Sequence, residues 1–177
     1  MDGLLTFIAY EIVWFAAVIG AGHGRVWPGV AAAAVFSAWR LTVSSRRTVE
    51  ARLFAAALLI GAALEFGWMR SGLIHYAASW PAPGPPAWLL ALWASFGLTI
   101  VPLFGYLHQR PWLAAAFGAL GGPLSYSAAA HGWHAVILPQ PPWRTLLALG
   151  LGWAAALPVL TVLARRWLVT DAVRRLA

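Results

Sequence analysis

The chain has no cysteine and no lysine among its 177 residues, and only 10% of it is charged. Without cysteine there is no disulfide framework and no thiolate chemistry. Without lysine, Schiff-base mechanisms and a Walker-type phosphate lysine are both excluded. Five carboxylates face twelve arginines. What fills the chain instead is apolar: 62% of residues are hydrophobic, twelve residues are tryptophan, and the mean hydropathy is +0.75. That is far more apolar surface than one soluble core of this length can bury, so the expected solvent is a bilayer.

About 20 helical residues cross roughly 30 Å of hydrocarbon. Six stretches meet that need, at about 4–22, 26–43, 53–74, 88–107, 112–131 and 143–164. The expected fold is all-α: a polytopic bundle of six transmembrane helices forming a single integral membrane domain over residues 1–177. Short connections make sequential helices antiparallel. With six spans both termini share a face, and that face carries Arg40, Arg46, Arg47, Arg52, Arg110, Arg165, Arg166, Arg174 and Arg175. The opposite face has only Arg25, Arg70 and Arg144. Retention of positive charge on the inner side predicts cytoplasmic termini. It also accounts for the net charge of +7, since basic helix ends meet anionic headgroups, and no nucleic-acid partner is expected. The opening Met1-Asp2-Gly3-Leu4 has no basic n-region, and no small-x-small site closes the apolar run. The first stretch is therefore expected to remain as a span.

Helix starts carry proline beside tryptophan, at Trp27-Pro28, Pro86-Ala87-Trp88, Pro111-Trp112 and Pro142-Trp143. Proline is harmless in a first turn, and tryptophan favours headgroup depth. Most tryptophans are thus expected in an interfacial belt rather than around a ligand. Residues 80–86 and 138–142 are proline-rich and predict stiff outer straps. Within the spans lie Pro102, Pro158 and the run Gly121-Gly122-Pro123. Two readings of the fifth helix stand side by side. It kinks and turns Ser125, Tyr126 and Ser127 inward, or Gly118 and Gly122 let a neighbouring helix approach closely.

Charge inside a membrane is costly unless paired or wet, so ionisable residues in the spans are the first functional candidates. Arg40 is near enough to a helix end to snorkel. Glu11 lies in the inner half of the first helix and Glu65 in the outer half of the third, with Arg70 a little over one turn beyond it. A rise of about 1.5 Å per residue puts Glu65 at the level of Ser125 and Tyr126, predicting one polar pocket. Glu65 and Tyr126 are the candidate catalytic residues, with Glu11, Arg70, Ser125 and His75 as candidate ligand contacts. His23, His75, His131 and His134 map to the outer face and His108 to the inner one. His131 and His134 have the spacing of a two-ligand metal element, but a bare H-x-x-H at a helix end is usually interfacial surface. No metal or cofactor is expected.

An internal echo adds a topological expectation. Gly20-x-x-His23-x-Arg25-x-Trp27 recurs as Gly105-x-x-His108-x-Arg110-x-Trp112, and Ala63-Leu64-x-x-Gly67-Trp68 as Ala148-Leu149-x-x-Gly152-Trp153. Three spans per copy would make a 3+3 inverted repeat, the arrangement of many secondary transporters.

The run Gly121-Gly122-Pro123-Leu124-Ser125-Tyr126, with Trp14 to Ala21, Trp88 to Trp93 and Trp153 to Pro158, resembles an uncharacterised bacterial inner-membrane family, domain of unknown function 2878. The resemblance implies a small multi-pass protein of the bacterial cytoplasmic membrane. It also implies an association with lipid metabolism, since members tend to be encoded near fatty-acyl-modifying enzymes. Glu65 falls where members carry an acidic residue. Glu11 stands where glutamine is usual, and the His131 to His134 segment departs from the family pattern, which counts against a family-wide metal site.

The expected activity is handling, or helping to modify, an acyl lipid or another hydrophobic small molecule within the bilayer. Membrane lipids and a membrane-enzyme partner or a second copy of the chain are the expected partners. Two alternatives come from other classes: a small proton-coupled transporter using Glu11 and Glu65, and a non-catalytic membrane partner whose glycine faces dock other helices.

Overall fold

The computed structural model describes residues 2–176, and side chains over 3–174. Met1, which opens the segment read as an uncleaved span, and the side chain of Arg175, one of the inner-face arginines, lie outside the described residues. Six helices follow in order: α1 (Asp2–Gly22), α2 (Trp27–Val43), α3 (Arg47–Arg70), α4 (Ala87–Leu103), α5 (Pro111–Trp133) and α6 (Trp143–Leu176). Two short strands, β1 (His75–Tyr76) and β2 (Val136–Ile137), pair antiparallel across the α3–α4 and α5–α6 connections. The described residues form an all-α fold with this small clasp at one end.

The helices differ from the apolar stretches mainly at their ends. Helix α6 runs on to Leu176 through Arg165, Arg166, Asp171 and Arg174, because charged residues propagate a helix that hydropathy no longer detects. Helix α4 stops at Leu103, one residue after Pro102, and a single 3-10 turn at Gly105–Leu107 replaces the expected last turn. Helices α5 and α6 continue through Pro123 and Pro158.

Two helices, Gly3–Gly22 and Trp143–Arg174, are long and apolar enough to cross a membrane. Their apolar windows are only 33% and 28% buried, so each presents most of its hydrophobic surface outward. Leu5, Ile12, Val35, Leu59, Leu124 and Leu151 are likewise exposed. Such continuous apolar surface is expected of a membrane-associated chain.

The interior is built by fitting tryptophan into glycine notches. A Cβ at Gly61 would collide with the Trp93 indole, one at Gly152 with Trp68, and one at Gly122 with Trp153, while Gly118 lies against the Trp153 backbone. These notches bring α3 onto α4 and α5 onto α6. Trp93 and Trp153 then stack with centroids 4.1 Å apart and planes 14° from parallel. Close packing is thus the role of Gly118 and Gly122. Trp27, Trp112 and Trp143 are exposed, as belt residues would be, whereas Trp68, Trp88 and Trp93 are buried in the interior. Trp88 donates its indole N–H to the Ala78 carbonyl at 3.0 Å.

Arg40 does not snorkel. It is buried and pairs with Glu50 at 2.7 Å, with Thr6 as a further contact at 3.3 Å, while Ser44 donates to the same Glu50 oxygen at 2.8 Å. Glu50 sits one loop beyond Arg40, at the start of α3, so the pair joins α2 to α3. Removing one partner would strand a buried charge, at a cost of about 3–5 kcal/mol. Nearby, Arg46 bonds Asp171 at 3.2 Å and ties the α2–α3 loop to the α6 extension.

Helix α1 packs on α2 and α4, but the counterpart of the α1–α2 pair in a repeated arrangement, α4 with α5, makes at most marginal contact. Helix α1 also meets α5 only sparsely.

Glycine notches make a differential prediction. Gly118→Ala is expected to destabilise the protein by about 1–3 kcal/mol, because backbone cannot yield as a flexible side chain can. Gly67→Ala, where nothing lies within 4 Å of the added carbon, is expected to be neutral or stabilising by up to about 1 kcal/mol. Thermal unfolding of the two variants in detergent checks the difference.

Candidate functional site

Glu65, on α3, has no exposed surface, and its carboxylate is met by three donors from three other segments. The Tyr76 hydroxyl donates to Oε2, the Tyr126 hydroxyl donates to Oε1, and the Trp93 indole N–H donates to Oε1 at 2.9 Å. A desolvated carboxylate is tolerable only with such full hydrogen bonding.

Each donor is aimed by local structure. Strand alternation turns His75 outward and Tyr76 inward, and the clasp fixes that register by pairing Tyr76 with Val136. Ala77 N–H donates to Ala135 carbonyl at 3.1 Å. Thr145 at the head of α6 donates to the Leu73 carbonyl at 2.5 Å, holding the end of α3 in place. Helix α5 stops at His134, which adopts φ 54° in the left-handed region and turns the chain into β2. Trp93 is fixed by the Gly61 notch and the stack on Trp153.

On the other side of Trp93 and Tyr126 lies a cavity of about 480 Å³. Tyr10, Glu11 and Trp14 of α1 line it, with Trp88, Trp93 and Phe96 of α4, Ser125 and Tyr126 of α5, and Trp153 of α6. Glu65 is not part of its lining; two of the three side chains that bond its carboxylate, Trp93 and Tyr126, are part of the wall. Trp14 donates its indole N–H to Ser125 at 3.0 Å, the one side-chain hydrogen bond between α1 and α5 among the described residues. Beyond it, the Trp14 and Phe15 rings both meet Trp133 edge-on with centroids 5.4 Å apart. At the other end Phe7 and Phe117 line the cavity yet stay about half exposed, at 49% and 47%. The cavity thus borders the seam between α1 and α5, which touch only sparsely.

The expected residues fall into two groups. Glu65 and Tyr126 are bonded to each other, and Tyr126, Ser125 and Glu11 share the cavity. Arg70 is exposed at the end of α3, and His75 is exposed on β1; neither reaches Glu65. His131 is exposed with Nδ1 2.9 Å from the Ser127 carbonyl, and His134 is exposed at the α5 terminus. Among the described residues no group of three or more histidines, cysteines or acids could hold a metal. Tyr76 and Trp93 went unrecognised as partners of Glu65, because nothing in their spacing marks a contact made through a strand pair and a glycine notch.

Chemically the site is an acceptor buried behind a hydroxyl. Tyr126 forms part of the cavity wall while its hydroxyl donates to Glu65, so one side chain links the apolar cavity to a buried acceptor.

Residues 3–159 match a family described as protein of unknown function, DUF2878. The chain belongs to that family. The matched DUF2878 region takes in Glu65 and all three of its donors, α1 from its second residue, the whole of α2 to α5, and α6 up to residue 159, and it stops before the charged α6 extension. No curated protein and no solved structure matches the chain.

The triple bond to Glu65 predicts an ordered series. Tyr126→Phe removes one donor and is expected to cost about 1–2 kcal/mol, whereas Glu65→Leu strands three buried donors and is expected to cost well over 3 kcal/mol. Thermal denaturation of the variants in detergent, followed by circular dichroism, checks the order.

Proposed function

We propose that the protein spans the bacterial inner membrane six times, with both termini in the cytoplasm, and takes a hydrophobic molecule bearing an apolar chain, such as an acyl lipid, sideways from the bilayer. The cavity bordering the α1–α5 seam carries this reading. Its walls are chiefly aromatic and aliphatic, and its rim residues Phe7 and Phe117 face outward. Tyr126, oriented by Glu65, is the group that would touch and act on the ligand or hold it for a partner enzyme. Glu65 is then a positioning residue and proton acceptor one atom removed from the ligand.

Transfer from lipid to an apolar cavity brings little hydrophobic gain, because lipid tails are as apolar as the walls. Selection must come from the cavity's shape and its few polar groups. A transporter built on an inverted repeat is less favoured, since the α1–α2 packing has no counterpart between α4 and α5.

Two measurements test the proposal. Because the chain has no cysteine, single cysteines can report topology. A membrane-impermeant maleimide is expected to label Ser79→Cys in intact cells and Ser45→Cys only after the membrane is opened; the reverse pattern would invert the orientation. Mass spectrometry of lipids from a deletion strain is expected to show loss of a defined acyl species. Wild-type protein should restore it, and Gly121→Phe, which fills the cavity from a position with open space around the added carbon, should not. Full restoration by both Gly121→Phe and Tyr126→Phe would remove the cavity from the function.

A further inference from the structure

Glu11 is not explained by the Tyr126–Glu65 pair. It lines the same cavity from α1, and among the described residues no hydrogen bond or ion pair engages its carboxylate. Its helix neighbours on that face are Phe7, four residues before, and Trp14, three after, with Tyr10 beside it; all three also line the cavity. The Tyr10 ring is itself held by Phe36 and Phe96, each with centroids 6.1 Å away.

Among the described residues no arginine lines the cavity, and the chain has no lysine. An anionic head, whether free carboxylate or phosphate, would find no positive partner there and would meet the half-buried Glu11 as a like charge. A neutral head would leave Glu11 uncompensated. A cationic head satisfies both features of the wall, because it pairs with the carboxylate and is attracted to the electron-rich faces of the surrounding rings.

We propose that Glu11 and the aromatic residues flanking it form the head-group subsite of the cavity, and that the ligand is an amphiphile whose apolar chain ends in an ammonium group. The proposal rests on the cavity reading above and specifies its ligand. The ammonium nitrogen sits against Glu11, between Phe7 and Trp14, and the chain extends towards Trp153 and Tyr126. That arrangement places the chain, rather than the head, beside the hydroxyl that Glu65 orients.

A charge series on the unmodified protein tests it. The probes are brominated decyltrimethylammonium, decanol and decanoate, each carrying its bromine at the chain end, added to protein in nanodiscs of zwitterionic lipid. Bromine quenches tryptophan on contact, and the cavity is walled by Trp14, Trp88, Trp93 and Trp153. Saturable quenching, corrected for partition of each probe into the bilayer, reads occupancy. The ammonium probe is expected to bind on the order of tenfold more tightly than the alcohol, and the carboxylate more weakly than either. In Glu11→Gln the advantage of the ammonium probe over decanol should be lost.

Equal binding of all three probes, or preference for decanoate, overturns the ammonium assignment and leaves the cavity reading standing. An undiminished ammonium preference in Glu11→Gln overturns the role of Glu11. Absence of saturable quenching by any probe overturns both the cavity reading and this one. The charge series needs no variant, so it decides the ligand class even if Glu11→Gln fails to fold.

Discussion

The Glu65 carboxylate is the constraint around which the rest of the structure is arranged. A charge-bearing group with no exposed surface has to be met by donors, and the three that meet it come from β1, α4 and α5. None of these segments can drift without leaving a polar atom unpartnered in an apolar interior. The clasp between β1 and β2, the stop of α5 at His134 and the seating of Trp93 over Gly61 all serve to keep a donor aimed at one acceptor. Because no cation takes part, the network adds no second desolvated charge of opposite sign. It contrasts with the Arg40–Glu50 pair, where both charges are buried and the bond joins neighbouring helices only.

Tryptophan does two jobs that composition alone cannot separate. At Trp27, Trp112 and Trp143 it sits exposed beside a helix-initiating proline, as an amphipathic ring at an interface would. At Trp68, Trp93 and Trp153 it fills a groove that glycine opens on a facing helix. The second use makes a cavity possible: large flat rings packed against bare backbone leave rigid walls with little side-chain freedom to collapse inward.

Helix number and class were legible in the sequence, because long apolar runs separated by proline, glycine and arginine have few alternative folds. The ends were not. Helix α6 outruns its apolar segment by a charged extension, and α4 yields to a 3-10 turn after Pro102. At the site, depth counting brought Glu65 and Tyr126 to one level, since rise per residue is nearly constant along a helix. Counting says nothing about azimuth, so Arg70 and His75 were grouped with Glu65 although both face outward. Arg40 showed the same limit: proximity to a helix end suggested solvent, while the residue that receives it, Glu50, lies ten positions on, across a loop.

On the proposed function, the seam between α1 and α5 would change what concentration means for this protein. A cavity reached along the flank of a bundle, past Phe7 and Phe117, would be filled from the two-dimensional solution of the leaflet. Occupancy would then follow the mole fraction of ligand among the surrounding lipids. A compound scarce in water but strongly partitioned could saturate the site, and diluting it with inert lipid would empty the cavity at constant total amount.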